Sequence, residues 1–186
     1  GISHMKRRKM QKNGHRLKSI YILPNIFTTL NIFCGFFAII SSVDGKYATA
    51  AVAIVIAGVF DMLDGKIARA TNTTSKFGVE YDSLGDLISF GLAPGLMIYL
   101  WALQPLGRIG WLAAFLYMVC GALRLARFNT QTGTIKSDHF NGLPIPGGAG
   151  MSATTVLFFH KLGLSGSDYA IVLLIMLYVL AFLMVS

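Results

Sequence analysis

Residues 47–69 read YATAAVAIVIAGVFDMLDGKIAR, and this stretch decides how the rest of the chain is interpreted. Its first fourteen residues carry no charge, and two aspartates, a lysine and an arginine follow in the last nine. A run of about 20 mostly apolar residues is long enough to cross the roughly 30 Å hydrocarbon core of a bilayer. The stretch therefore predicts a membrane-spanning helix that carries acidic side chains near one end.

The composition of the whole chain is typical of a membrane protein. Of the 186 residues, 54% are hydrophobic and 13% are charged, whereas a soluble domain carries about 25% charged residues. The apolar residues come in long blocks and not as the i, i+3, i+4, i+7 stripe of a surface helix. We therefore predict an all-α, polytopic membrane helix bundle of about six transmembrane helices, at residues 22–42, 47–69, 82–103, 108–128, 146–162 and 168–186.

Residues 1–21 precede this membrane domain, which we place at 22–186. Residues 1–4 are typical of a cloning scar before Met5, and a basic segment follows over residues 6–18. This segment is either a solvated tail that sets the topology or a surface helix on anionic lipid, where each base contributes about 1 kcal/mol. Nucleic acid is not an expected partner, because no aromatic or glycine-rich platform accompanies the charge. The last span is still apolar at Ser186, as in a chain with further spans to follow.

The basic residues are distributed unequally between the two sides of the predicted bundle. Of the 16 lysines and arginines, only Lys46, Arg108 and Lys161 fall on the side opposite the N-terminus. Cytoplasmic loops of membrane proteins carry an excess of such residues. We therefore expect a cytoplasmic N-terminus, and six spans would return the C-terminus to the same side.

Four of the eight acidic residues fall in the cytoplasmic halves of the second and third spans, and they are Asp61, Asp64, Asp82 and Asp86. An intramembrane aspartate costs about 2.5–3.5 kcal/mol to insert, so four would cost on the order of 10 kcal/mol. The spacings i, i+3 and i, i+4 place each pair on one helix face. A loop over about 70–81 would make the two helices an antiparallel hairpin, so that the two faces meet.

Four carboxylates converging at low dielectric repel one another unless a cation lies among them. A set of oxygen ligands without cysteine or histidine selects a hard ion, namely Mg²⁺, Mn²⁺ or Ca²⁺. Four carboxylates suit two ions better than one, and paired ions stabilise the attacking and leaving oxygens of phosphoryl transfer. The sequence therefore predicts a metal site for phosphoryl-group transfer.

The residues between the aspartates fit a phosphate-bearing ligand. Gly65 and Gly78 would let a ligand approach the backbone, Ala68 would keep the next turn open, and Arg69 offers a forked donor to phosphate. Each feature also has an ordinary structural explanation, since membrane helices pack through glycine and arginine anchors helix ends. The combination with four aspartates favours the ligand-binding interpretation.

The pattern D-x2-D-G-x2-A-R-x8-G-x3-D-x3-D, which runs from Asp61 to Asp86, resembles the signature of the CDP-alcohol phosphatidyltransferase family at every fixed position. The resemblance implies that a CDP-linked lipid donates its phosphatidyl group to an alcohol and that CMP is released. It implies metal-ligand roles for Asp61, Asp64 and Asp82, and for Asp86 a role as ligand or as general base. For CDP-lipid binding it implies Asp61, Gly65, Ala68, Arg69, Gly78 and Asn31. The expected cofactor is Mg²⁺ or Mn²⁺, as two ions.

The acceptor is indicated by weaker features. Arg124 and Arg127 lie at i, i+3 at the end of the fourth span, either as interfacial anchors or as a clamp on an anionic acceptor, and Asn129 could add amide hydrogen bonds. Residues 23–35, 82–94, 123–129 and 140–146 resemble the smaller phosphatidylserine synthases of bacteria and archaea within that family. This implies L-serine as the acceptor, CDP-diacylglycerol or an ether analogue as the donor, a prokaryotic cell membrane, and a homodimer among membrane lipids.

Two alternatives remain open at this stage. The same chemistry could use glycerol 3-phosphate or an inositol phosphate, with Arg124 and Arg127 gripping phosphate. A more distant alternative is a divalent-cation transporter, because intramembrane acids also mark ion pathways. A transporter would tend to carry acids in both halves of an inverted repeat, whereas here they lie in one hairpin.

Overall fold

The computed structural model describes residues 25–71, 75–131 and 142–186. The basic segment predicted at the N-terminus lies outside these residues, as do Lys136, Asp138 and His139. The regular structure of the described residues is entirely helical. Its six main helices are α1 (Asn25–Val43), α2 (Tyr47–Ala70), α3 (Lys76–Leu106), α4 (Arg108–Gln131), α5 (Ile145–Leu162) and α6 (Ala170–Val185).

Five of these helices are long and apolar enough to cross a membrane, which confirms the predicted polytopic helical bundle. The sixth, α5, coincides with the predicted span at 146–162 but is not among the five. It is rich in small residues and ends with His160 and Lys161 in its last turn. Its buried face, which includes Gly148, Ala149 and Ser152, packs mainly against α2. Small side chains let membrane helices approach closely, so α5 serves the bundle through packing.

The hairpin loop between α2 and α3 is shorter than predicted. Residues 76–81 were expected in a loop over about 70–81, but they form the first turns of α3, which begins at Lys76. Ser75 is the N-cap residue, and its Oγ accepts a hydrogen bond of 2.9 Å from the Gly78 amide. Such a cap satisfies one of the free amides at a helix start. Helical structure therefore extends well beyond the apolar part of the sequence.

The long helix α3 is irregular in the middle, with π-helical stretches at Leu87–Leu92 and Tyr99–Leu103. Pro94 lies between them and has no amide to donate to the carbonyl of Phe90, four residues earlier. That carbonyl instead accepts a hydrogen bond of 3.1 Å from the hydroxyl of Tyr117 on α4. A π-helical turn inside an α-helix is frequent at functional sites, and the first one follows directly after Asp86.

Helix α1 packs closely against α3 because two glycines remove side chains at the contact. A Cβ on Gly35 would come within 2.8 Å of the Ser89 Cα, and one on Gly85 would come within 3.1 Å of the Ile32 side chain. Ser89 also donates to the Asn31 carbonyl at 2.9 Å. This contact brings the middle of α1 against the acidic half of α3.

The two ends of the bundle can be defined by these connections. The acidic end comprises the N-terminal ends of α1, α3 and α5 with the C-terminal ends of α2, α4 and α6. There the Leu143 amide donates to the Leu183 carbonyl at 2.8 Å. At the distal end the Tyr47 hydroxyl donates to the Leu100 carbonyl at 3.1 Å, and Trp101 meets Phe159 edge to face. All four aspartates of the signature lie towards the acidic end.

Candidate active site

Three of the four predicted aspartates form a compact group at the acidic end. Asp61 and Asp64 lie one turn apart on α2, and Asp82 lies on the facing turn of α3. Each carboxylate offers one oxygen, and these three oxygens lie within 4.8 Å of one another. Asp64 is buried, while Asp61 and Asp82 are half-buried. The helical hairpin therefore brings the two acidic faces together as the spacing predicts.

Asp86 lies one turn deeper on α3 and is buried. Its carboxylate is next to that of Asp61, but it is not part of the group of three. Its Oδ1 accepts a hydrogen bond of 3.1 Å from the side-chain amide of Asn31. Asp86 thus lies beside the group of three carboxylates without belonging to it.

Helix α1 supplies hydrogen bonds that the signature does not contain. Thr28 donates from its hydroxyl to Asp64 Oδ2 at 2.9 Å, and both residues are buried. Asn31 follows one turn later and contacts Asp86. Thr28 had no predicted role, although two polar residues at i, i+3 in a mostly apolar span are a usable signal. They share one face of a helix that is mostly apolar.

The three carboxylates fit a hard divalent cation. Two unit charges 4.8 Å apart repel by about 3.5 kcal/mol at an effective dielectric constant of about 20. In addition, Asp82 Oδ1 is buried and accepts no hydrogen bond from the described residues. A buried carboxylate oxygen without a partner is costly unless a cation or donor satisfies it. The donor set contains only oxygen, as Mg²⁺, Mn²⁺ and Ca²⁺ require.

The glycines of the signature differ in what surrounds them. A Cβ on Gly65 would meet no atom closer than 3.7 Å, the Nη2 of Arg69, so packing does not require glycine there. A Cβ on Gly78 would lie 3.1 Å from the capping oxygen of Ser75. Gly78 therefore has a structural reason for its small size, whereas Gly65 leaves an open surface beside the carboxylates. Ala68 is half-buried, and Arg69 is exposed and donates from Nε to the Gly65 carbonyl at 3.0 Å.

The residues predicted to bind the acceptor lie at the end of α4. The Asn129 amide donates to Ser83 Oγ at 3.0 Å and to Glu80 Oε2 at 3.2 Å, which ties α4 to the first turns of α3. Arg124 is half-buried and Arg127 is exposed. All three thus lie on the helix end that adjoins the acidic hairpin, and their binding role remains a prediction.

The fold and this cluster define an integral membrane protein with a carboxylate site of the kind that holds divalent metal. The family model for CDP-alcohol phosphatidyltransferases matches residues 21–185, and the chain belongs to this family.

Three curated relatives show how the similarity is distributed. The chain is 42% identical over 145 residues to a CDP-diacylglycerol–serine O-phosphatidyltransferase of Helicobacter pylori, which covers 78% of the chain and 61% of that relative. It is 39% identical over 153 residues to an archaetidylserine synthase of Methanothermobacter thermautotrophicus, covering 81% and 63%. It is 37% identical over 155 residues to a CDP-diacylglycerol–serine O-phosphatidyltransferase of Bacillus subtilis, covering 81% and 86%. The chain thus spans about three fifths of the length of the first two relatives.

Proposed function

We propose that the chain transfers a phosphatidyl group from CDP-diacylglycerol, or its ether analogue, to L-serine and releases CMP. The observation that carries the proposal is the group of three carboxylate oxygens within 4.8 Å, on a hairpin that contains the full family signature. The names of all three relatives support serine as the acceptor. The archaeal relative is the reason for keeping an ether-linked donor in the proposal.

The proposed reaction is a displacement at the phosphorus that carries the lipid. The serine hydroxyl oxygen forms a bond to this phosphorus, and the bond from the phosphorus to the bridging oxygen of the pyrophosphate breaks. The electron pair of that bond leaves with CMP, and the hydroxyl proton passes to a carboxylate. Positioning and charge stabilisation account for most of the catalysis of such transfers.

The four aspartates have two different roles in this scheme. Asp61, Asp64 and Asp82 would hold Mg²⁺ or Mn²⁺. With Asp86 the site has four carboxylates, which suit two ions. The bound metal would neutralise the pyrophosphate and the leaving CMP. Asp86 is the proposed proton acceptor, because it is buried next to Asp61 but outside the group of three.

The nucleotide would lie along the exposed side of α2. The open surface at Gly65 would admit the pyrophosphate, and Arg69, one turn further towards water, would donate to a phosphate. Ala68 and Gly78 would line the same passage. Since the acidic end meets water and the spans meet lipid, the CDP head group of the donor can enter from the aqueous side while the acyl chains remain in the bilayer.

The acceptor would enter beside the end of α4. Arg124 and Arg127 lie there with charges suited to the serine carboxylate. Asn129 already joins α4 to α3 through Ser83 and Glu80, and it would complete the acceptor side. We further propose that this end faces the cytoplasm, that residues 22–186 form one membrane domain after a basic segment, and that the chain forms a homodimer.

An acceptor screen tests the proposal. Purified protein in detergent would receive CDP-diacylglycerol, Mn²⁺ or Mg²⁺, and one acceptor at a time, with CMP release as the measurement. We expect release with L-serine and none after chelation with EDTA, and the Asp86→Asn variant provides the inactive control. Release with glycerol 3-phosphate or an inositol phosphate, but not with serine, would contradict the choice of acceptor. Divalent-ion uptake into proteoliposomes without CMP chemistry would contradict the enzyme class.

A further inference from the structure

We propose that helix α1 positions two carboxylates of the site: Thr28 orients the metal ligand Asp64, and Asn31 orients the proton acceptor Asp86. The inference deepens the proposed function and rests on it for the role of Asp86. Both residues lie 30 or more positions before the first signature aspartate, and neither belongs to the signature. They act through carboxylates and are therefore positioning residues.

Thr28 restrains one oxygen of Asp64. Its hydroxyl lies 2.9 Å from Asp64 Oδ2, and Thr28 and Asp64 are 3% and 4% exposed. Because this bond is shielded from water, it holds the carboxylate in one orientation. Groups that hydrogen-bond to metal-ligating side chains fix ligand geometry, and their removal typically lowers metal affinity by about 10–100-fold.

Asn31 restrains Asp86 from the same face of α1. Its Nδ2 donates to Asp86 Oδ1 at 3.1 Å, and the residue is fully buried. The Asn31 Oδ1 atom is buried and accepts no hydrogen bond from the described residues. Such an unsatisfied oxygen destabilises a fold, so an asparagine at this position has a cost in stability. The hydrogen bond to Asp86 explains why a polar residue occupies this buried position.

Helix α1 is held firmly enough against α3 to fix both carboxylates. Ser89 on α3 donates to the backbone carbonyl of Asn31 at 2.9 Å, so the turn that carries Asn31 is itself anchored. Gly35 and Gly85 allow α1 and α3 to touch along this contact. Side chains held by such packed elements keep their geometry better than side chains on loops.

Mn²⁺ titration of the detergent-solubilised chain, followed by electron paramagnetic resonance without any CDP-lipid, tests the role of Thr28. We expect Thr28→Val, which keeps the shape and removes the hydroxyl, to raise the Kd for Mn²⁺ about tenfold or more. Thr28→Ser, which keeps the hydroxyl, should stay within about threefold of the parent even if it melts at a lower temperature. Thr155→Val is the matched control, because the Thr155 hydroxyl bonds to the Met151 carbonyl within α5 and to Met176 Sδ on α6, and to no carboxylate of the site. If Thr28→Val does not fold, Thr28→Ala replaces it.

The inference is overturned if Thr28→Val binds Mn²⁺ as tightly as the parent, or if Thr28→Ser is as weak as Thr28→Val. This titration does not depend on turnover. A parent that binds Mn²⁺ but releases no CMP with any acceptor therefore contradicts the proposed function and leaves the role of Thr28 standing. A parent that turns over serine while Thr28→Val binds Mn²⁺ normally contradicts the inference alone.

Steady-state kinetics test the role of Asn31. We expect Asn31→Ala, or Asn31→Val if that variant does not fold, to lower kcat by about 10–100-fold, while the KM for CDP-diacylglycerol and the Kd for Mn²⁺ stay within about threefold of the parent. A raised KM with unchanged kcat would overturn the positioning role and would favour direct binding of the CDP-lipid by Asn31. Ser152→Ala is the control for loss of a buried polar group, because Ser152 bonds to Gly148 within α5. Its kcat should match that of the parent.

Discussion

At the scale of single residues, Gly65 and Gly35 show why a helical glycine needs its surroundings before it is interpreted. Both are small residues in membrane helices, where glycine usually serves helix packing. A Cβ at Gly35 would run into Ser89, whereas a Cβ at Gly65 would have open space to 3.7 Å. Gly35 is therefore a packing residue, and Gly65 leaves room that no part of the described chain fills.

The pair gives a matched prediction. Gly65→Ala should leave the melting temperature unchanged or slightly raised, since alanine favours helix by about 1 kcal/mol over glycine, but it should raise the KM for CDP-diacylglycerol about tenfold or more. Gly35→Ala should instead destabilise the fold by about 1–3 kcal/mol through overpacking. Thermal unfolding in detergent and kinetics of both variants provide the measurements. A lowered melting temperature for Gly65→Ala with unchanged KM would assign that glycine to packing.

The aspartates should separate into two groups when each is replaced by asparagine. Asp61→Asn removes a charge from the group of three and should weaken Mn²⁺-dependent binding of CDP-diacylglycerol about tenfold or more. Asp86→Asn should retain that binding and lose turnover, because the proposed proton acceptor is gone while the metal ligands remain. Binding of a radiolabelled CDP-lipid and CMP release distinguish the two outcomes. Equal turnover in Asp86→Asn and the parent would remove the proton-acceptor role.

The sequence predicts well which aspartates come together, because the spacing along a helix determines which side chains share a face. Asp61, Asp64 and Asp82 meet as the spacing requires. The contribution of Thr28 was not predicted, since a hydrogen bond to Asp64 across 36 residues depends on how α1 packs. Nor does spacing indicate that Asn129 contacts Ser83 and Glu80, for the same physical reason.

At the scale of elements, α3 departs most from its sequence pattern. The apolar pattern begins near residue 82, yet the helix begins at Lys76, because the Ser75 cap stabilises polar turns that hydropathy does not detect. Pro94 would be expected to break a helix. It is tolerated because Tyr117 on the neighbouring helix satisfies the Phe90 carbonyl. The Ser75 cap is local to the sequence, whereas the compensation at Pro94 cannot be recognised without the partner atom on α4.

Tyr117→Phe should test that compensation. The change removes only a hydroxyl, leaves the Phe90 carbonyl buried without its donor, and should destabilise the fold by about 1–3 kcal/mol. The measurement is thermal unfolding in detergent, with Tyr178→Phe on the exposed side of α6 as the matched control. An unchanged melting temperature for Tyr117→Phe would mean that the freed carbonyl finds another donor.

At the scale of the whole molecule, most of the described basic residues lie at the same end of the bundle as the carboxylate site. Lys66, Arg69, Lys76, Arg124 and Arg127 lie at the acidic end, while Lys46, Arg108 and Lys161 lie at the distal end. By the positive-inside rule the acidic end should face the cytoplasm. The sequence predicted the order of the six main helices of the described residues, and five of the six predicted spans are long and apolar enough to cross a membrane, because hydrophobic blocks of membrane length are a strong signal.

Cysteine labelling in intact cells tests this orientation. Cys34 and Cys120 would first be replaced by alanine, and a single cysteine then introduced as Ser165→Cys at the distal end or Thr71→Cys at the acidic end. Both positions are exposed. We expect a membrane-impermeant maleimide to label Ser165→Cys in intact cells and Thr71→Cys only after lysis. The reverse pattern would place the site on the outer side.

The proposed transfer to serine is tested by the head group of the lipid product. Purified chain would be incubated with CDP-diacylglycerol, Mn²⁺ and an equal mixture of L-serine, glycerol 3-phosphate and inositol phosphate, and the product lipids weighed by mass spectrometry. We expect phosphatidylserine as the main product, in amounts equal to the CMP released, and none in Asp86→Asn. A product mass corresponding to a glycerol phosphate or inositol phosphate head group would contradict it.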